Sequence, residues 1–512
     1  MNSKTPSTQD LLFFTVKTLV ILLTFFVIKK ADAVENLCPM GPSQHLNENF
    51  NTNTVIVAVD EYPVSEIEKI ILTVLQNNLE KDTPKIILLG TKGELLSIYK
   101  KLEPEYKEKW DKFVTLIDRD VTWAQDFFEA FIDSNGQPFI RMVSGYKKNG
   151  KPYIYEKYAE VQSLLSTQFK AFNIPVQTPI NIYSGQPSKN GHKGGNIEST
   201  NEGFCLIGDS DLTDTEWNEL AIQNCGGPKN TIKLPTNWLP ALHVDELIKQ
   251  LPNSNSSLCE ATFAIASPSK AIEILRYHLQ DPFFRAQEKS DSDFMFDRSE
   301  LSQICATILA TKEKFQEDIF RRQIITASPT FEPISPRAGT KIYRVPITNK
   351  RNDDLYAACS TLRNEEIVEL FDSDPYYMES LRRSEDYIQK AKQVITEFYK
   401  ERRPDCTVRF IELPSLFIVD SAKYFSEDKT LSIISTISRP ILPNVLNNLK
   451  INKDIFVPST GNNYFDDYVR SVYEVFKLRT HFLNTFRLHV AEGNIHCSSQ
   501  TVHYCTPNTS AK

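Results

Sequence analysis

At 512 residues the chain is long enough for one large pseudo-symmetric domain or for more than one core. With 41% hydrophobic and 24% charged residues and 28 prolines, it has the composition of an ordinary soluble globular protein. A formal charge of −7 argues against nucleic acid as a main partner and suits a cationic substrate.

Residues 18–28 are almost unbroken apolar residues, preceded by Lys17 and followed by Lys29-Lys30. Ala31-Asp32-Ala33 then forms a small-x-small cleavage pattern ahead of Val34. The expectation over 1–33 is a cleaved secretory signal and an exported protein, secreted or periplasmic. The alternatives are an uncleaved membrane anchor through 11–28, which requires Lys17 to be tolerated in the span, and an ordinary core helix. A membrane is a partner only if that segment stays uncleaved. Residues 34–53 read as a polar N-terminal segment, mostly loop.

The run 54–59 predicts a buried strand, 64–79 a helix, 85–89 a strand and 94–99 a short helix. Strands follow at 113–117, 139–143 and 204–208, with an amphipathic helix over 156–172. Later come long helices at 378–400 and 464–479, with strands at 407–411 and 431–437 between them. The stretch 281–298 is charged and aromatic, a surface loop or a lid, and 247–453 holds no recognised motif. Alternating strands and helices on this scale give an α/β class. The pattern alone does not separate a doubly wound sheet from a barrel or a propeller. With no Gly-x-Gly-x-x-Gly after the first strand and no P-loop, nucleotide-binding versions lose support.

Nine cysteines show no Cys-x-x-Cys pair and no zinc spacing. In an exported protein some pair as disulfides, for example Cys205 with Cys225 or with Cys259. The odd count leaves at least one free thiol in a monomer, and Cys497 is the candidate.

Three short strings carry the chemistry: Thr122-Trp123-Ala124-Gln125-Asp126, Trp238-Leu239-Pro240-Ala241-Leu242-His243-Val244-Asp245-Glu246, and Glu492-Gly493-Asn494-Ile495-His496-Cys497-Ser498-Ser499-Gln500. Together they supply a cysteine, a histidine and two carboxylates. A guanidinium is a planar, delocalised cation whose carbon resists attack. Cleaving it takes carboxylates to hold its nitrogens in charge-assisted pairs, a strong nucleophile, and a proton for the departing ammonia. A thiolate is such a nucleophile, although an ordinary thiol is only a few per cent ionised at pH 7. A cationic His243 or the charge of the substrate itself must therefore raise that fraction. Singly, each residue has a plainer reading: Cys497 as a small buried hydrophobe, His243 as a structural hydrogen-bonder, Trp123 as core, Asp126 as an exposed charge or helix cap. His243 and Asp245, two apart, would face the same side of an extended strand. His496 flanks the nucleophile and is expected to point away.

In this order the three strings resemble the catalytic motifs of the peptidylarginine (protein-arginine) deiminases. That family belongs to the guanidino-group-modifying superfamily, with the agmatine deiminases and amidinotransferases. The resemblance spans roughly 55–504. It is supported by Gly194-Gly195-Asn196-Ile197-Glu198, which is similar to the family's Gly-Asn-Leu-Glu turn, by Phe456-Val457-Pro458, and by the stretch from His481 to His489. It implies a five-bladed α/β-propeller (pentein) with pseudo-fivefold symmetry over 54–505, the active site on its axis, and a short tail at 506–512. The immunoglobulin-like domains that precede the catalytic unit in animal members are expected to be absent.

The resemblance also implies roles. Asp126 and Asp245 would grip the guanidinium, with Trp123 packing on the arginine stem. Cys497 would be the nucleophile and His243 the acid and base. The path runs through a covalent thiouronium on Cys497 to citrulline and ammonia, without an organic cofactor. In calcium-dependent members a Gln and a Glu around the first catalytic Asp, with the Glu of the Gly-Asn-x-Glu turn, hold one ion. Gln125, Glu129 and Glu198 fall on those positions, with carbonyls of 194–197 as added ligands. Phe127 stands where a carboxylate of a second site would be, so one calcium site is expected.

The substrate implied is arginine within a peptide or protein. His243-Val244-Asp245-Glu246 favours that branch, whereas Asn494-Ile495-His496-Cys497 is more similar to agmatine deiminase. A small-guanidine deiminase acting on agmatine or free arginine is therefore the alternative, and no residue decides it; Arg141 is a candidate for binding substrate backbone. A non-catalytic, secreted calcium- or arginine-binding scaffold is a rival that the intact Asp126, His243, Asp245 and Cys497 count against. A cysteine protease is weaker still, since no Cys-Gly-x-Cys-Trp string is present.

Overall fold

The computed structural model describes residues 48–280, 340–344 and 364–505. Left out within those spans are 60–61, 78–82, 120, 134, 143–145, 149–150, 154–155, 178–193, 211, 253–258, 420, 426–429, 434–436, 486–487 and 490–492. The expected export segment, the 281–298 loop and the 506–512 tail lie outside the described residues. Among the described residues no helix is long and apolar enough to cross a membrane.

One supersecondary unit recurs along the chain. A short strand pairs antiparallel with the next, a helical crossover follows, and a third strand returns parallel to the second. In the first unit Phe128–Ile132 pairs with Pro138–Met142, and after the helix Glu156–Ala171 the strand Val176–Gln177 adds in parallel. The second unit runs Ile197–Ser199, Cys205–Gly208, helix Asp214–Cys225, Thr231–Leu234. The third runs Ile248–Gln250, Glu260–Ser267 and Thr407–Pro414, and its crossover includes the helices Pro268–Gln280, Asn364–Ser373 and Pro375–Arg402. The fourth is Leu449–Ile451, Asp454–Pro458, helix Asn463–Val475, Arg479–Leu483. The closing unit joins the first and the last of the described strands. Ser499–Tyr504 pairs antiparallel with Asn51–Ala58, the helix Val64–Asn77 leads to the parallel strand Lys85–Gly90, and Val114–Asp118 extends the sheet. Each unit forms a sheet of its own.

Local chemistry explains the pattern. Parallel pairing of the second and third strands requires a crossover, and an amphipathic helix supplies it while covering one face of the sheet. Strands buried on both faces then read as continuous apolar runs, as Val55 to Ala58 and Ile86 to Leu89 do. The helix Asp214–Cys225 starts at a Thr213/Glu216 capping box and stops at Gly226, whose φ of 69° is left-handed. A disulfide joins Cys205 to Cys225, holding the second strand against the end of that helix. Cys259 pairs with Cys406 rather than with Cys205, clamping the starts of two parallel strands.

Apolar clusters bridge neighbouring units. Ile56, Ile87, Phe128 and Ile140 link the closing and first units. Val55, Leu88, Leu449 and Phe456 link the closing and fourth, and Leu206, Phe263, Ile455 and Val457 link the second, third and fourth.

Several boundaries differ from expectation. The strand Phe128–Ile132 is not among the expected elements, because Glu129 interrupts its short apolar run and the strand directly follows a polar motif. The helix Pro104–Phe113 was also unread, and Phe113 ends it instead of starting a strand. Arg479 opens a strand, since Lys477 has a φ of 58° and the helix has already ended. Asn51 to Asn53, expected as loop, extend the first strand because Tyr504 and His503 offer them a partner edge.

Candidate active site

Every unit begins with a tight polar turn, and the site is made of these turns. Single turns of 3-10 helix, Ala124–Asp126, Gly194–Asn196 and Val244–Glu246, open the first three units. Residues 444–448 and 494–498 open the fourth and closing units. Turn 124–126 packs on turn 194–196, which packs on turn 244–246, and turn 124–126 also meets the strand Ser499–Tyr504.

Gly194 and Gly195 allow this approach. A Cβ on Gly195 would lie 2.5 Å from His243 Nδ1 and 3.0 Å from both Asp245 Oδ2 and Gln125 Oε1. One on Gly194 would press on Gln125 and on Glu129 Oε1. Only glycine lets the second unit lie between the two turns that carry the expected carboxylates.

Cys497 is the free cysteine among the described residues, and it is buried. Its Sγ is 3.6 Å from Asp245 Oδ2 and 3.1 Å from Asn447 Nδ2. His243, Asp245 and Cys497 each bring a side-chain atom to within 4.8 Å of the others. Burial, then the charges of Asp245 and Glu246, push the Cys497 thiol well above its ordinary range, with the Asn447 hydrogen bond acting in the opposite sense.

His243 and Asp245 converge, but not along one strand face. His243 is extended, with φ −107° and ψ 148°, while Asp245 lies inside the turn. Leu242 ahead of them has a φ of 66°, a strained value for a residue with a branched side chain, and Ser210 Oγ donates to its carbonyl at 2.5 Å.

His496 does not point away into the core. Its Nδ1 is 2.8 Å from Asp245 Oδ2 and 2.9 Å from the side-chain amide of Gln125. Its Nε2 is 3.2 Å from Glu48 Oε1 and 3.7 Å from Glu198 Oε1. Burial and Lys249 disfavour the imidazolium, yet Glu48 and the hydrogen bonds to Asp245 and Glu48 outweigh them, holding His496 at a pKa of about 10. Glu48 in turn is paired with Lys249 at 2.5 Å. Despite its burial, Lys249 and His496 keep Glu48 well below the usual carboxylate range.

Beside His496 a cavity of about 20 Å3, room for one water-sized guest, is lined by Glu48, Gln125, Glu129, Gly194, Glu198 and His496 among others. The three residues expected to hold a cation thus share one wall, and Glu48 joins them. Burial raises the Glu198 carboxyl, although His496 and Lys249 oppose this. Gln125 Oε1 is buried without a hydrogen-bond partner.

Trp123 is half-buried beside the closing unit's core, its ring so close to Gly493 that a Cβ there would lie 2.6 Å away. Arg141 is engaged elsewhere, donating to the Gln223 carbonyl at 2.9 Å and lying over the Phe131 ring at 4.4 Å.

Sequence reading missed Glu48, Lys249 and Asn447. Glu48 and Lys249 carried no signal. Asn447 had one: like Asp126 and Cys497, it stands two residues ahead of the first strand of its unit.

A thiol, a histidine and a buried carboxylate from turns of two different units thus come together in one place. Residues 220–507 match the family model described as protein-arginine deiminase (PAD). That is more than half of the chain, and the chain belongs to this family of hydrolytic guanidino-group deiminases. The matched stretch contains His243, Asp245, Asn447 and Cys497, while Trp123, Gln125, Asp126, Glu129 and Glu198 precede it. No curated protein matches the chain. A solved agmatine deiminase of Enterococcus faecalis is 11% identical, with a TM-score of 0.47 over 92% of this chain and 100% of its own. An agmatine deiminase of C. jejuni is 13% identical, with a TM-score of 0.44 over 90% and 95%.

Proposed function

We propose that the protein converts peptidyl-arginine to peptidyl-citrulline and ammonia through a covalent thiouronium on Cys497. The observation that carries this is the placement of the Cys497 thiol beside Asp245 and His243, inside the stretch that matches the deiminase family. Asp126 and Asp245 hold the guanidinium, with Trp123 beside its aliphatic stem. Asp245 Oδ1 is buried without a hydrogen-bond partner, as an acceptor awaiting a guanidinium N–H would be.

In the free protein, burial and two carboxylates keep the thiol protonated. A bound guanidinium cancels that negative field and favours the thiolate. The thiolate attacks the guanidinium carbon, and the tetrahedral adduct collapses as His243 gives a proton to the departing nitrogen. Ammonia leaves and the thiouronium remains. His243, now neutral, takes a proton from water as that water attacks. The second collapse breaks the C–S bond and returns the thiolate, and citrulline is released as the hydroxyl proton passes through solvent to ammonia, which leaves as ammonium.

The carboxylates and amide of Gln125, Glu129 and Glu198 fit a hard, oxygen-seeking cation, and the buried Gln125 Oε1 supports this. Calcium there would neutralise Glu129 and Glu198 and fix Gln125 next to Asp126. The recurrence of one unit, with the first and last described strands paired, supports a five-bladed α/β-propeller around these turns. The disulfides Cys205–Cys225 and Cys259–Cys406 support export to an oxidising compartment. The second reading, a small-guanidine deiminase, is favoured by Asn494-Ile495-His496-Cys497.

The test is product formation from blocked peptidyl-arginine, free arginine and agmatine, with and without calcium, beside Cys497→Ala. Citrulline from the peptide, abolished in the variant, is the expected result. Turnover of a small guanidine alone selects the second reading. No turnover by folded protein with calcium present rejects both and leaves a non-catalytic scaffold.

A further inference from the structure

We infer that the three residues ahead of the first strand, Glu48-Asn49-Phe50, complete the site, with Glu48 as a positioning residue that holds His496 and, through it, Asp245. Glu48 Oε2 lies 2.5 Å from Lys249 Nζ, and Oε1 lies 3.2 Å from His496 Nε2. The other ring nitrogen of His496, Nδ1, lies 2.8 Å from Asp245 Oδ2. An ionised carboxylate only accepts, so Nδ1 carries a proton and donates it. The imidazole is therefore gripped at both ends by carboxylates from distant parts of the chain. Along the row Lys249, Glu48, His496, Asp245 the charges alternate, and all four residues are buried. A buried charge is costly without its partner, so each group fixes the next. Asp245 ends the row, where a substrate guanidinium would continue the alternation.

The segment that bears Glu48 is tied into the fold rather than strung ahead of it, and its three residues reach all five units. Glu48 meets the third and closing units through Lys249 and His496, and Lys450 Nζ of the fourth donates to its carbonyl at 2.7 Å. Asn49 Nδ2 donates to Asn201 Oδ1 of the second unit at 2.9 Å and to the Gln250 carbonyl of the third at 3.1 Å. Phe50 packs with Ile132 of the first unit and with Cys505 beyond the last strand. Lys249 is held as firmly, since it also donates to the Asn448 carbonyl at 2.8 Å. A carboxylate mounted in this way has little freedom, which is what fixing a ring between two acceptors requires.

The inference deepens the deiminase reading, and its spectroscopic arm stands apart from that reading. On the whole protein with calcium present, Glu48→Gln removes the charge and keeps the shape. The paired variant Glu48→Gln with Lys249→Met removes both partners of the ion pair. For each, chemical denaturation, kcat/KM and the downfield proton resonance of the His496 Nδ1–H are measured, the resonance being identified by its absence in His496→Gln. In Glu48→Gln that resonance is expected to shift or vanish, and kcat/KM to fall by about ten- to a hundredfold. In the paired variant stability returns toward the parent, because Lys249 no longer stands unpaired, while neither the resonance nor the rate recovers. Recovery of the rate together with stability makes Glu48 merely structural and overturns the inference. An unchanged resonance, an unchanged rate or a parent without the resonance overturns it too, and so do losses that follow only from unfolding of both variants. If the parent turns over no guanidine substrate, the resonance decides alone. Its loss from folded variants then upholds Glu48 while the deiminase reading falls.

Discussion

Asp245→Asn pulls two activities in opposite directions, which makes it the most discriminating perturbation of the site. Asp245 is fully buried and accepts from Asn447 and from the His496 ring, and its Oδ2 is 3.6 Å from Cys497 Sγ. For deimination, the variant loses a charged acceptor for the guanidinium. A hydrogen bond to a charged group contributes about 1.5–3 kcal/mol, so a two-point contact loses about 3–6 kcal/mol. At about 1.4 kcal/mol per decade, kcat/KM falls by about 10²–10⁴.

For the bare thiol the sign reverses. At 3.6 Å and an effective dielectric of about 20, the carboxylate disfavours the thiolate by roughly 4–5 kcal/mol. Removing that charge makes the thiol more acidic. The lower nucleophilicity of a more acidic thiol cancels only about half of the gain. Iodoacetamide carries no guanidinium, so its reaction with Cys497 near pH 7 speeds up by about tenfold or more. The assay pairs citrulline release with mass-detected alkylation of the same folded preparation. The reasoning fails if alkylation slows together with deimination, or if kcat/KM stays within tenfold of the parent.

Gly195→Ala drives a methyl group into His243, Asp245 and Gln125, and it is expected to lose deimination and about 1–3 kcal/mol of stability by chemical denaturation. Calcium is expected to raise the unfolding temperature of the parent but not of Glu198→Gln; a parent indifferent to calcium and chelator removes the proposed ion. Asp454 tests the charge arrangement outside the site. Burial raises its carboxyl, but hydrogen bonds from His481 at 2.8 Å and Arg479 at 2.6 and 2.8 Å outweigh this and hold it below its usual range. Its stabilisation is therefore present above the unfolded value near pH 3.8 and lost as pH falls through the lower folded value. Asp454→Asn should be less stable than the parent at pH 7, with the gap closing below about pH 4; a gap independent of pH rejects the ion-pair account.

Much of this was legible in the sequence. Strand 54–59 was readable as an apolar run buried on both faces, strand 407–411 by its alternation of exposed and half-buried residues, and helices 64–79 and 378–400 by one apolar stripe. Asp126, His243, Asp245 and Cys497 stand out in the sequence because their residue types suit one reaction and their flanks resemble a family, and the structure brings His243, Asp245 and Cys497 together. Gln125, Glu129 and Glu198 stand out through that resemblance alone; the structure sets them on one cavity wall, and the ion there is a proposal. Glu48 was not readable. A glutamate in a polar stretch looks solvated, and nothing local reveals that Lys249, some two hundred positions away, becomes its buried partner. His496 was misplaced for the same reason, since its partners lie on other units. Asn447 shows the remaining limit. Its signal is positional, a polar residue at the head of a repeated unit, and it emerges only when the units are aligned on their strands.

The closing unit makes completion of the fold and assembly of the site one event. Ser499, two residues beyond Cys497, pairs with Val57, and the Ser498 carbonyl accepts from the Ala58 N–H at 2.8 Å. Tyr62 OH meets Ser498 Oγ at 2.6 Å. The strand that pairs beside Cys497 therefore lies more than four hundred residues earlier in the chain, and three residues ahead of it stands Glu48, whose carboxylate meets the His496 ring. Joining segments so far apart carries a loop-closure cost that no local contact offsets. It is met by the apolar clusters that bind the closing unit to the first and fourth units. The Asn447 donor and the Asp245 carboxylate beside Cys497 come from other units, so the surroundings of the thiol depend on packing between units. The environment of this thiol is therefore set by several units together rather than by the motif that carries it.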